Sequence, residues 1–136
     1  MQMPSDMRAF NETLIAEFHA NGGKLSGRLA DSSLLLLTTI GARTGQARVT
    51  PMGYVHDGER YAVIAANAGA DKHPDWYLNL LAHPRVVVEV GSERFEATAR
   101  TAESDERERL VAMISYFAAQ QEKTQRVIPV VVLERV

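Results

Sequence analysis

Arg48-Val49-Thr50-Pro51-Met52-Gly53-Tyr54-Val55-His56-Asp57-Gly58-Glu59-Arg60-Tyr61-Ala62-Val63-Ile64-Ala65-Ala66 is the stretch that decides the fold. It reads as two strands, Arg48–Val55 and Tyr61–Ala66, joined at Asp57-Gly58. That dipeptide suits a tight hairpin, because the turn needs positive backbone φ angles. Strands joined by a hairpin are antiparallel, whereas a doubly wound parallel sheet needs helical crossovers. The second strand is apolar from Tyr61 to Ala66, which predicts cover on both of its faces.

The flanking segments extend the same pattern. Leu34–Ile40, apolar and then β-branched, predicts a buried strand ending at Gly41. Val86, Val88 and Val90 alternate on one strand and Phe95, Ala97 and Ala99 on the next, with Gly91-Ser92 as a second hairpin turn. Ile128–Leu133 closes the chain as a strand, and Pro129 places it at an edge or restricts the proline to its first residues. Three helices are expected. The first is capped by Ser5, carries the stripe Phe10, Leu14, Phe18 and ends at Asn21-Gly22-Gly23. A short one opens at His73-Pro74 and stops before His83-Pro84, with Pro74 in its first turn. A long one is capped by Ser104 and faces the core with Leu110, Met113, Ile114 and Phe117. About six mostly antiparallel strands and three helices make an α+β class, an antiparallel barrel of one domain spanning residues 1–136.

Composition removes whole function classes. With 136 residues and a formal charge of −2, no broad basic field points to nucleic acid, so an anion site must be local. The chain has no cysteine, which excludes disulfides, thiolate nucleophiles and thiolate-bound metals. His19, His56, His73 and His83 have no metal-ligand spacing, and no serine–histidine–acid set can be assembled. Without a membrane-length apolar run or a signal peptide, a cytoplasmic protein is expected.

Two stretches carry candidate chemistry. In Gly41–Pro51, two glycines flank a turn whose N–H groups can converge on an anion, with Arg43 in the turn. Arg48 and Thr50 then share one strand face, offering a guanidinium fork and a hydroxyl. The same residues also read as a polar hairpin with solvated arginines. In Ala65–Asn79, small residues at a strand end let a flat ring approach the backbone, and Asn67 can meet its polar edge. Lys72 adds charge, and Trp76 and Asn79 share a helix face. Here the plainer reading makes Trp76 a core anchor and Lys72 a solvated loop residue.

Together the stretches resemble the deazaflavin-dependent nitroreductase family. The resemblance rests on Leu-Thr-Thr-x-Gly-x-Arg-Thr-Gly from Leu37 to Gly45 and the pair Arg48-x-x-Pro51. It continues in Gly69-Ala70-x-Lys72-x-Pro74-x-Trp76-Tyr77-x-Asn79-Leu80-x-Ala82-x-Pro84-x-Val86, and ends in Arg126-Val127-Ile128-Pro129-Val130-Val131. It implies a split β-barrel holding coenzyme F420, with Arg43, Thr44, Gly45 and Arg48 on the cofactor phosphate. Thr50, Pro51, Ile64, Ala65, Ala66, Asn67, Ala68, Asp75, Trp76 and Asn79 would line the deazaflavin ring, and Lys72 would stand near the phosphate or the acidic tail. Two departures from the family pattern stand out. Asn67 replaces a lysine found in some members, and Ile114–Gln120 has only Tyr116 and Phe117 where nitroimidazole-activating members place several tyrosines.

The activity implied is hydride transfer from the reduced deazaflavin to a small electron-poor acceptor: a quinone, an enone or lactone, or a nitro compound. Tyr54, Tyr116 and His73 are the candidate proton donors, and no metal is expected. Three alternatives stay open: the same barrel holding FMN, a protein that carries F420 without turnover, and a lipid- or quinone-docking protein. A quinone acceptor would allow peripheral membrane contact through the Phe10/Leu14/Phe18 stripe, although few basic residues on that helix favour core packing. The oligomeric state is not legible.

Overall fold

The computed structural model describes residues 3–25, 33–67 and 70–136, with side chains from residue 11 onward. Seven strands form one antiparallel sheet: β1 (Leu34–Ile40), β2 (Ala47–Gly53), β3 (Val55–Asp57), β4 (Arg60–Ile64), β5 (Arg85–Val90), β6 (Glu93–Thr101) and β7 (Val130–Arg135). Their order is β2-β1-β5-β6-β7-β4-β3. The two outermost strands, β2 and β3, are consecutive in the chain, separated only by Tyr54. The sheet must therefore curl until its edges meet there, which makes a split barrel.

Side-chain alternation then divides the core. Leu35, Leu37, Tyr61, Val63, Val86, Val88, Ala97, Ala99, Val131 and Leu133 fill the barrel interior. Ala62, Val130 and Val132 face outward, beneath α3 (Ser104–Met113) and α4 (Phe117–Gln121). Leu36 faces outward beneath α1 (Met3–Ala20), against Leu14 and Phe18. Leu14 and Phe18 are thus buried on the barrel, so this part of the stripe is core packing and not a membrane face; Phe10 lies outside the described side chains. Among the described residues no helix is long and apolar enough to cross a membrane. The remaining helix, α2 (Asp75–Ala82), sends Tyr77 and Leu80 into the interior cluster and packs against β1 and β6.

Several sequence expectations need correction. The strand expected over 48–55 is broken at Tyr54, because its two halves pair with opposite edges of the sheet, β1 and β4. Arg60 pairs with Asp57, leaving Gly58-Glu59 as the turn, and β4 ends at Ile64, two residues earlier than expected. The strand after Pro129 is not an edge: β7 sits between β6 and β4, and the proline precedes it, where no ladder N–H is required. Helix α1 begins at Met3, so Ser5 lies inside it and Pro4 takes the first turn.

Pro74 caps α2 and is not its first residue. Ser104 caps nothing: Glu103 is the N-cap of α3, with no side-chain hydrogen bond, and Ser104 has φ 53°. The single long helix is two. Ile114 leaves helical geometry and points inward with Leu110 and Phe117, so the chain follows the curved outer face while Met113 faces solvent. The break brings Tyr116 back across the seam. A Cβ on Gly53 would stand 3.2 Å from the Tyr116 hydroxyl, so a larger residue there would push the tyrosine tip aside by a few tenths of an ångström.

Candidate functional site

The β1–β2 connection is a closed turn. Gly41 N–H donates to the Gln46 carbonyl at 2.8 Å, and Gly45 N–H donates to the Gly41 carbonyl at 2.9 Å. Gly45 has φ 72°, and the Thr44 hydroxyl accepts from Gln46 N–H at 3.2 Å. Buried Asn79 holds the turn from beneath. Its Oδ1 accepts from Ala42 N–H at 3.0 Å, and its Nδ2 donates to the Thr39 hydroxyl at 3.2 Å. Arg43, Thr44, Gly45 and Arg48 are exposed above it. Neither Arg43 nor Arg48 forms an ion pair with any described residue, and the same holds for exposed Lys72. Two unneutralised guanidinium groups thus sit on a rigid hairpin.

Strand register sets which way the β2 side chains point. Arg48 lies opposite Thr39 and Thr50 opposite Leu37, so both are on the barrel-interior side of β2. Pro51 lies opposite Leu36 and faces outward, where it is tolerated because β2 is an edge strand. Thr50 and Pro51 can share one ligand only across the free edge of β2.

The second stretch is pinned by a residue the sequence reading did not single out as part of the site. Arg126 donates to the carbonyls of Ala65 (3.2 Å), Ala66 (2.8 Å) and Ala70 (3.4 Å), and to His73 Nδ1 (2.7 Å). Gln121 fixes this clamp by donating to the Arg126 carbonyl at 2.7 Å and accepting from Ile128 N–H at 3.1 Å. In the sequence Arg126 stood out only as an arginine entering an apolar strand and as the start of the closing segment of the family resemblance, with no role attached. Asn67 has φ 52° and donates from Nδ2 to the Lys72 carbonyl at 2.9 Å, so its amide closes the loop. Ile64 and Ala66 pack on the outer cluster, whereas Ala65 is fully buried. Asp75 is exposed and Trp76 is partly buried against the barrel core; Ala68 lies outside the described residues. Helix α2 links the two stretches, since it comes directly after the loop and its Asn79 grips the turn.

The three proton-donor candidates differ. Burial raises the Tyr116 pKa, and burial together with the neighbouring Tyr61 raises that of Tyr54, so both keep their protons at neutral pH. Burial and the Arg126 charge lower the His73 pKa, leaving a neutral imidazole whose Nδ1 is already occupied. Tyr54 and Tyr116 stand at the Gly53 end of β2, about 17 Å along the strand from Arg48.

The chain is similar in sequence and fold to known proteins. A family model described as F420H(2)-dependent quinone reductase matches residues 11–135. An F420H(2)-dependent quinone reductase of Mycobacterium tuberculosis H37Rv is 37% identical over 129 residues, spanning 88% of this chain and 86% of that protein. A solved F420-H2 dependent reductase superposes with TM-score 0.67 at 38% identity, covering 75% of this chain and 94% of its own. A solved domain-swapped dimer gives TM-score 0.70 at 34% identity, covering 96% and 99%.

Proposed function

The chain belongs to the F420H(2)-dependent quinone reductase family, and from that premise we propose that it holds coenzyme F420 along the β2 edge and reduces a small quinone. The observation that carries this reading is the rigid β1–β2 hairpin with two arginines that no described carboxylate neutralises. The residues fit an anionic, flat-ringed cofactor: a cationic turn on one side and a strand end of small residues on the other.

When bound, reduced F420 supplies the hydride that the acceptor receives. Arg43, Arg48 and the Thr44 hydroxyl proton hold the phosphate, on a turn that Gly45 closes through its own N–H to the Gly41 carbonyl; Lys72 adds positive charge toward the phosphate or the acidic tail. Thr50, Pro51, Ala66, Asn67, Asp75 and Trp76 border the ring, above the fully buried Ala65. Asn79 and Ile64 act beneath it, the first by fixing the turn and the second by anchoring β4 to the outer cluster. A quinone that accepts hydride also needs a proton on oxygen. We assign that proton to the Tyr116 hydroxyl, which is protonated at neutral pH and partly exposed beside Gly53, with Tyr54 next to the seam. The test is F420H2 oxidation monitored by absorbance with a soluble quinone, an enone and a nitroimidazole offered in turn. Quinone-dependent turnover is expected to exceed the other two; turnover with none of the three would remove the reading.

A further inference from the structure

Arg126 is unlike the other arginines of the barrel. Its guanidinium meets three backbone carbonyls and one imidazole nitrogen, and it pairs with no described carboxylate. Arginine can only donate, so His73 Nδ1 must be an unprotonated acceptor with the ring proton on Nε2. Protonating His73 would remove the acceptor and set two cations 2.7 Å apart.

The groups around this contact are few. The Tyr77 ring faces His73 from α2 at 4.9 Å, with its hydroxyl committed to Thr101 at 2.7 Å. Asp71 and Lys72 flank His73 in the loop. Asp71 also lines the cleft of about 670 Å³ beside Arg126, with Glu122 and Lys123 from the α4–β7 connection. None of the carboxylates reaches the Arg126 guanidinium, so neutrality of His73 is the condition on which the clamp depends.

We propose that Arg126 is the positioning residue of the cofactor loop, and that His73 makes the clamp pH-sensitive, releasing Ala65–Asn67 and Ala70–His73 when it is protonated. The link to the cofactor rests on the reading that Ala66 and Asn67 border the deazaflavin. The clamp itself does not, which separates the two in experiment.

Hydrogen exchange on the cofactor-free protein tests the clamp. Arg126→Gln is expected to speed exchange in Ala65–Asn67 and Ala70–His73 about tenfold or more while β1 and β5 stay protected. Arg126→Lys keeps the charge but not the planar fork, and should remain as loose. Unchanged loop exchange in both variants would overturn the clamp; if Arg126→Gln fails to fold, Arg126→Lys decides alone. F420 titration from pH 7.5 to 5 tests the switch. Wild-type affinity should fall as pH drops below about 6.5, the ordinary histidine value. His73→Gln offers a non-titrating acceptor and should flatten that slope while keeping affinity at pH 7.5. An equal slope in His73→Gln would overturn the histidine's role. If wild type binds no F420 but exchange behaves as expected, the cofactor reading fails and the clamp stands.

Discussion

Around the β3–β4 hairpin, arginines are locked to carboxylates; on the β1–β2 hairpin they are not. Arg60 and Arg109 both bind Asp57, Arg60 also reaches Glu106 at 3.2 Å, and Arg100 is bidentate on Glu106 at 2.7 and 3.0 Å with Glu134 at 3.1 Å. The Arg109 hydrogen bond, with a smaller contribution from Arg60, holds the Asp57 pKa at about 2, and Arg100 lowers that of Glu106. Arg43 and Arg48 have no such partner among the described residues, yet their turn is the better anchored, because Asn79 fixes it from the buried side. Charge left unsatisfied on a rigid support marks a binding surface; charge satisfied by neighbours marks a strut.

That contrast fails if the variants do not separate. The largest effect is expected for Arg48→Ala: loss of a charge-assisted hydrogen bond of about 1.5–3 kcal/mol should weaken F420 about tenfold to a hundredfold by fluorescence titration. Unchanged affinity in a folded variant would remove Arg48 from the site. Asn79→Ala strands the Ala42 N–H and the Thr39 hydroxyl, so urea denaturation should show a loss of about 1–3 kcal/mol, with weaker F420 binding as the turn loosens. Stability equal to wild type would mean that the turn does not need its buried anchor.

Asp57→Asn should cost about 1 kcal/mol or less, since Arg109 is half exposed, and should leave F420 affinity alone. The depressed pKa sets the sign. The stabilisation is complete above the ordinary carboxylate value and is lost as pH falls through about 2. The wild-type urea midpoint should therefore drop more steeply than that of Asp57→Asn between pH 4 and 2; parallel slopes would contradict the pairing. Arg85→Ala, whose partner Glu96 is as exposed as itself, should change neither stability nor binding measurably, and a clear loss of F420 affinity there would blur the contrast between the two hairpins.

The strands and hairpins were legible because their signals are local: alternation in β5 and β6, and turn residues at Asp57-Gly58 and Gly91-Ser92. The cationic turn was legible for the same reason, since glycines and arginines sit together in the chain. What escaped is long-range. Tyr54 breaks a strand because two distant edges compete for its halves, and Ile114 breaks a helix because the barrel beneath it curves. Asn79 was assigned to the ring, yet its amide reaches residues 37 and 40 positions away. Arg126 organises a loop up to 61 positions distant, which no spacing rule reports.

The most direct test of the account is a parallel fluorescence titration of the purified protein with oxidised F420 and with FMN. Saturable F420 binding at about micromolar affinity or better, near −8 kcal/mol, with FMN clearly weaker, is the expected result. Preference for FMN, or binding of neither, would contradict the claim that the unpaired arginine hairpin is built for the deazaflavin cofactor.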